Sequence, residues 1–218
     1  RIAYSTDASA YREVPAAVAF PRGEADIVGL LAEARQRGVC LIPRAAGTSL
    51  AGQVVGRGIV ADVSRHMNAI LEINAAERWA RVQPGVVLDE LNLACKPYGL
   101  FFSPETSTSN RCCIGGMFGN NSCGSHSLIY DSTRHHVLEA TVVLADGSTE
   151  LCRSYSVSAL EERFGQRFWD APAEGTLIRR IYSQLIGFAL DRNTASLIAA
   201  SYPDKTLRRR SCGYAIDE

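Results

Sequence analysis

The sequence predicts a mixed α+β fold over residues 1–152, followed by a helical segment over 153–218. Three observations carry that reading. Short apolar runs of strand character alternate with amphipathic helical stretches through the first part. Asp146-Gly147 separates two strand-like runs, a strong hairpin signal. Beyond residue 154 the apolar residues recur at helical spacing.

In chain order, Ala17-Val18-Ala19-Phe20 reads as a short strand stopped by Pro21. Residues 24–37 place Ile27, Leu30, Leu31 and Ala34 on one helical face, and Gly38 is a suitable stop. Strands are predicted over 39–43, 58–63, 69–73 and 79–83. Pro84-Gly85 turns the chain into a helix over 87–96, whose Asp89 and Glu90 suit the positive end of the helix dipole. Residues 137–144 and 148–151 form the predicted hairpin, and 160–168, 176–191 and 194–201 the predicted helices.

The chain has 218 residues, 46% apolar and 21% charged, enough for a substantial core. Lys+Arg and Asp+Glu are both 23, so no net charge favours nucleic acid or an anionic membrane. Arg208-Arg209-Arg210 reads as a solvated patch. No apolar stretch approaches the roughly 20 residues of a membrane helix. The opening residues have no apolar leader pattern and no initiator Met, and the end carries no stop signal, so an excised piece is expected. Seven irregularly spaced cysteines without a Cys-x-x-Cys pair give no zinc or iron–sulfur signature, and a reducing cytoplasm is the expected setting.

The chemistry resides in two small-residue loops. The first runs Pro43-Arg44-Ala45-Ala46-Gly47-Thr48-Ser49-Leu50-Ala51-Gly52-Gln53; the second runs Ile114-Gly115-Gly116-Met117-Phe118-Gly119-Asn120-Asn121-Ser122-Cys123-Gly124. Gly and Ala let the main chain approach an anion, and backbone N–H groups and hydroxyls then supply donors. Two such loops suit a dinucleotide whose pyrophosphate is clasped from two sides. Between them, residues 104–110 add a third hydroxyl-rich segment, which taken alone reads as an exposed turn. Neither Gly-x-Gly-x-x-Gly nor Gly-x-x-x-x-Gly-Lys occurs, which argues against a Rossmann nicotinamide cleft and a P-loop.

The order of Tyr4-Ser5-Thr6-Asp7-Ala8-Ser9-Ala10-Tyr11-Arg12, the first loop, Val82-Gln83-Pro84-Gly85-Val86, Ile114-Gly115-Gly116 and Leu144-Ala145-Asp146-Gly147 resembles the FAD-linked oxidases of the p-cresol methylhydroxylase and vanillyl-alcohol oxidase type. The nearest branch is that of bacterial D-lactate/glycolate dehydrogenase-like proteins with an iron–sulfur half. The resemblance covers residues 3–152 and resumes at 208–217. It implies an FAD-binding domain over 1–152 with two subdomains split near 64–68, and a helical insertion or connector over 153–218. It implies that Arg44, Ala45, Ala46, Gly47, Thr48, Ser49 and Gln53 wrap the pyrophosphate and ribityl chain. Glu105, Thr106, Ser107 and Ser109 would approach the flavin, with Gly115, Gly116, Asn120, Asn121, Gly124 and Ser125 closing the second side.

The implied reaction is oxidation of a D-2-hydroxy acid such as lactate or glycolate, with hydride passing to flavin N5. In such relatives the proton-abstracting groups lie mostly in a downstream cap domain, so no catalytic base is assigned and the piece alone is expected not to turn over. The expected partners are the hydroxy acid, the cap and an iron–sulfur domain or another electron acceptor. Two other readings are a reductase of the UDP-N-acetylenolpyruvoylglucosamine type using NADPH, which the Tyr4–Ser9 and Thr48–Gln53 stretches fit less well, and a noncatalytic scaffold. Thr48 stands where covalently flavinylated branches carry His, so the FAD is expected to be noncovalent. Ala45 and Ala46 replace customary glycines and need negative φ. Asp131 occupies a position where Gly is usual and is expected to need positive φ. His135 stands where Asp is usual; His135 and His136, as neighbours on a strand, would face opposite ways and serve structure, and His126 is expected to face solvent.

Overall fold

A parallel three-stranded sheet organises the first part of the computed structural model. Strands β1 (Ala17–Ala19), β2 (Leu41–Arg44) and β3 (Ile59–Asp62) lie in the order β1-β3-β2. All four residues of β3 are buried, as the middle strand of a covered parallel sheet requires. Helix α1 (Glu24–Gln36) connects β1 to β2. Glu24 and Asp26 sit in its first turn and Arg35 in its last, complementing the dipole. Gly38, at φ +64°, ends it, and the Val39 amide returns to the Ala34 carbonyl.

The chain then forms an antiparallel hairpin, β4 (Ile70–Asn74) with β5 (Trp79–Val82), and helix α2 (Leu88–Cys95). Val86, Leu91 and Cys95 make a small core against Ile70, Ile73, Val82, Leu100, Phe102 and Ile114. A second buried cluster joins Leu88, Cys112 and Met117. The structure describes residues 1–204, 206, 207, 214 and 216. It divides into two units, Arg1–Val137 and Leu138–Glu218.

The second unit begins with the hairpin β6 (Glu139–Val143) and β7 (Thr149–Arg153), with Gly147 at φ +89° in its turn. Helices α3 (Ile114–Gly119) and α4 (Ser127–Tyr130) belong to the first unit, and α5 (Val157–Phe164), α6 (Leu177–Leu190) and α7 (Arg192–Ser201) follow the hairpin in the second. Side chains of Ser156, Thr176 and Asp191 cap the three helices by accepting amides of Ala159, Arg179 and Thr194. Glu150, 6% exposed, receives a two-pronged salt bridge from Arg163 at 2.6 and 2.7 Å. Arg179 fastens the carbonyls of Phe168, Ala171 and Glu174.

Four expectations change. Residues 114–119 are helical: α3 (Ile114–Gly119) forms despite three glycines because the Ile114 and Gly115 amides find the Val86 and Pro84 carbonyls and Met117 is buried. Helix α5 ends at Phe164, ahead of residue 168, because Gly165 takes φ +96°. The segment at 104–110 is less exposed than a turn: Pro104 is buried and Glu105, Thr106, Thr108 and Ser109 are half-buried. His135 and His136 lie in a 3-10 turn, Thr133–His136, with His135 Nδ1 near Ser132 and His136 against the Tyr130 carbonyl and the Phe102 ring. Helix α4 (Ser127–Tyr130) precedes that turn. Asp131 does adopt φ +59°, and Ala45 and Ala46 are absent from the positive-φ residues. Arg208–Arg210, Cys212 and the resumed resemblance at 208–217 lie outside the described residues, apart from Tyr214 and Ile216. Among the described residues no helix is long and apolar enough to cross a membrane.

Candidate functional site

The first loop leaves β2 at the carboxyl end of the parallel sheet, where open sheets offer crevices to ligands. Asp62 ends β3 there, and its buried carboxylate is fully engaged: it accepts the Tyr4 hydroxyl at 2.7 Å, the Ser64 amide at 2.8 Å and the Ser64 hydroxyl at 2.6 Å. Burial, then the bond to Asp62, pushes the Tyr4 hydroxyl up to about 12, so it remains a donor. The Arg44 carbonyl receives the Val63 amide at 2.9 Å, which fixes the loop's first residue to the sheet.

Gly47 turns the loop at φ +68°, a left-handed conformation suited to glycine. Its carbonyl accepts the Ala8 amide at 3.1 Å. The Arg44 guanidinium lies under Gly47, donates Nη1 to the Thr6 carbonyl at 2.9 Å, and rests 5.2 Å from the Tyr4 ring centre. Beside the loop the Cys113 thiol is buried, and burial, foremost among its causes, raises it to about 11, with the Ala46 amide acting to lower it. Among the described residues the amides of Gly47, Thr48, Ser49 and Leu50 donate to no group of the chain. Thr48 and Ser49 are half-buried beside them.

Helix α3 faces this loop. A Cβ on Gly116 would meet only the Ala45 methyl, at 3.4 Å, and Gln53 Nε2 donates to Asn120 Oδ1 at 3.2 Å. Gly115 instead presses on Pro84, its amide bonded to the Pro84 carbonyl at 2.8 Å. Asn121, at φ 45°, turns inward to cap the Arg134 amide at 3.0 Å.

The remaining expected residues form a second cluster. Glu105 accepts the Ser125 hydroxyl at 2.6 Å and pairs with His126 Nδ1 at 2.9 Å; the Ser125 bond is the largest influence holding its carboxyl below the usual range. Gly124 abuts the Glu105 carbonyl too closely for any Cβ. Thr106 donates to the Cys112 sulfur at 3.2 Å, and the Ser109 carbonyl takes the Asp89 amide at 3.2 Å, so these two brace α2 and the buried core. Ser107 is exposed. No hydrogen bond among the described residues joins this cluster to the first loop.

The first loop and α3 thus suit FAD. A row of uncommitted amides and hydroxyls matches a pyrophosphate, no carboxylate faces it from within the loop, and Gly116 leaves room on the opposite side. Sequence reasoning missed Cys113 and the supporting residues Tyr4, Thr6 and Ala8. The Tyr4–Arg12 stretch carried the signal, but its contacts span 38 to 58 residues and no local pattern reveals them.

Known proteins share the chain's sequence and fold. The chain is 43% identical over 217 residues to "D-2-hydroxyglutarate dehydrogenase" of Pantoea ananatis, covering 98% of this chain and 20% of that protein. It is 38% identical over 149 residues to "Glycolate oxidase subunit GlcD" of Bacillus subtilis, covering 67% of this chain and 32% of that one. The chain therefore spans about a fifth of the length of the dehydrogenases it matches. Among solved structures, 6-hydroxy-D-nicotine oxidase from Arthrobacter nicotinovorans superposes with a TM-score of 0.60 at 24% identity, covering 77% of this chain and 35% of that one, a likeness of fold. The family model described as "FAD binding domain" matches residues 15–153, and the chain belongs to that family, with the p-cresol methylhydroxylase-type fold and FAD as cofactor.

Proposed function

We propose that this chain is the flavin-binding portion of a dehydrogenase that oxidises a D-2-hydroxy acid, with D-2-hydroxyglutarate favoured over lactate or glycolate. The observation that carries this reading is the 43% identity sustained over 98% of the chain to a D-2-hydroxyglutarate dehydrogenase, whereas the glycolate oxidase subunit aligns over 67%. The amides of Gly47, Thr48, Ser49 and Leu50 hold the pyrophosphate, with the Thr48 and Ser49 hydroxyls as additional donors. Ala45 and Gly116 set the width of the cleft, and the Gln53–Asn120 bond closes its far end. Glu105, Gly124 and Ser125 shape the approach to the ring. When bound, FAD supplies an acceptor at N5 for the hydride of the hydroxyl-bearing carbon. Thr48 has no ring nitrogen to bond to the flavin, so the cofactor is held noncovalently. The group that takes the hydroxyl proton and the onward electron acceptor belong to the larger protein.

The test is dye reduction by the full-length protein, comparing D-2-hydroxyglutarate, D-lactate and glycolate. D-2-Hydroxyglutarate is expected to have the largest kcat/KM. A preference for D-lactate or glycolate defeats the substrate assignment, while flavin retained on the acid-precipitated protein defeats the noncovalent one.

A further inference from the structure

We propose that residues 4–11, which precede the family match at residue 15, form a strap that sets the shape of the first loop, with Arg44 as its pin. On this reading Arg44 is a positioning residue and makes no contact with phosphate. The inference rests on the flavin reading above.

The strap is closed on itself and tied to the loop at several points. Thr6 bridges to Arg12, the Glu13 amide donates to the Ser5 carbonyl at 2.9 Å, and Ser5 is 1% exposed. Asp7 Oδ1 accepts the Ser9 amide at 2.8 Å and Ser9 Oγ accepts the Tyr11 amide at 3.1 Å, giving two successive tight turns. From this frame Tyr4 reaches Asp62 at the sheet end, Ala8 donates to the Gly47 carbonyl, and Tyr11 packs on Gly52, where a Cβ would stand 2.7 Å from its ring. The two glycines that the strap touches, Gly47 and Gly52, are the loop's two positive-φ residues.

Arg44 joins the two parts. Its guanidinium fills the space that a side chain at Gly47 would need, stacks on Tyr4 and donates to Thr6. Turning that group toward an anion would give up the Thr6 bond and the Tyr4 face together, loosening the strap's hold on the loop whose amides serve the anion. A planar fork that donates and stacks at once is a property of arginine and not of lysine. FAD affinity therefore depends on residues that do not touch FAD.

The experiment titrates FAD into flavin-stripped full-length protein, followed by flavin fluorescence, at about 0.05 M and about 0.5 M salt. The variants are Arg44→Lys, Arg44→Gln, Tyr4→Leu and the double variant Arg44→Gln/Tyr4→Leu. Arg44→Gln and Arg44→Lys are each expected to weaken FAD by about tenfold, the loss of a charged hydrogen bond. The salt dependence should match wild type, and the Tyr4→Leu and Arg44→Gln effects should fall short of additive. A direct phosphate contact predicts the opposite: Arg44→Lys close to wild type and a flatter salt dependence in Arg44→Gln. Either result overturns the proposal. Hydrogen exchange on the wild type supplies a readout free of folding defects: FAD should slow exchange of the amides of residues 8 and 9, and unchanged exchange there also overturns it. Wild-type protein that takes up no FAD defeats the flavin reading itself, whereas variants that all bind like wild type defeat the strap alone.

Discussion

Adjacent glycines at the start of α3 should separate fold from binding. A Cβ on Gly115 would stand 2.5 Å from Pro84 Cβ and 2.9 Å from both its Cα and carbonyl oxygen. The backbone cannot step aside, because the Gly115 amide is bonded to that same carbonyl. Overpacking of this kind costs roughly 1–3 kcal/mol. Ala regains up to about 1 kcal/mol of helix propensity over Gly. Taking about 1 kcal/mol off that cost, Gly115→Ala should therefore destabilise the protein without cofactor by up to about 2 kcal/mol. Gly116 has one neighbour in reach, the Ala45 methyl at 3.4 Å, so Gly116→Ala should leave that stability level or slightly raised. Gly116→Val places two further methyls in the cleft between α3 and the first loop. Charged to the FAD-bound state alone, roughly 1–3 kcal/mol corresponds to a weakening of about 5- to 150-fold. Urea unfolding of flavin-stripped protein measures the first quantity and fluorescence titration with FAD the second. Gly116→Val that unfolds as readily as Gly115→Ala, or that binds FAD like wild type, would refute the division of roles.

Three further outcomes follow from particular residues. Asp131 holds φ +59° and ψ −151°, a region nearly reserved for glycine, so Asp131→Gly should raise the urea midpoint by the equivalent of about 1–2 kcal/mol; an unchanged or lowered midpoint counts against strain there. In the second unit the Glu150 side chain is 6% exposed and that of Arg163 40%, so removing the arginine strands a buried charge while removing the glutamate frees a half-hydrated one. Arg163→Ala should accordingly cost more than Glu150→Gln, about 2–4 against about 1–2 kcal/mol by urea unfolding. The hydrogen bonds from Arg163 hold the Glu150 carboxyl below the usual range, so its contribution is complete above the unfolded-state pKa and lost as pH falls through the folded one; Glu150→Gln should flatten the acid side of the stability profile, and an unaltered acid side would exclude this pair as its source.

Local rules reached far into this fold. The stop at Gly38, the Asp146-Gly147 turn and the β3 run are each decided by a residue's own backbone preference or by neighbours within a few positions, whereas the positive φ of Asp131 was legible only through the family resemblance. Helix α3 was hidden because glycine is a poor helix former, and what secures it comes from elsewhere: the Pro84 and Val86 carbonyls and a pocket for Met117. Among the site residues, the two loops were legible as donor-rich segments, but the division of labour within them was not. Arg44 and Thr106 look like ligands by type, yet Arg44 Nη1 and the Thr106 hydroxyl are engaged with Thr6 and Cys112. Those partners are matters of tertiary geometry.

The glycines themselves mark where the scaffold ends and the site begins. A series of backbone bonds leads from one loop to the other: the Val63 amide to the Arg44 carbonyl, the Gly85 amide to the Met67 carbonyl, and the Gly115 amide to the Pro84 carbonyl. At Gly85 and Gly115 a Cβ would strike backbone atoms of that series, so those glycines permit main chain to meet main chain. Gly116 is different: it is exposed, and past the Ala45 methyl a Cβ there would meet nothing outside its own helix and chain neighbours within 4 Å. Steric need within the fold accounts for the first pair and leaves the third unexplained. Space kept open opposite a row of uncommitted amides is what a dinucleotide pressed close to the main chain requires, and the residue that keeps it open is the one whose enlargement the fold alone would tolerate.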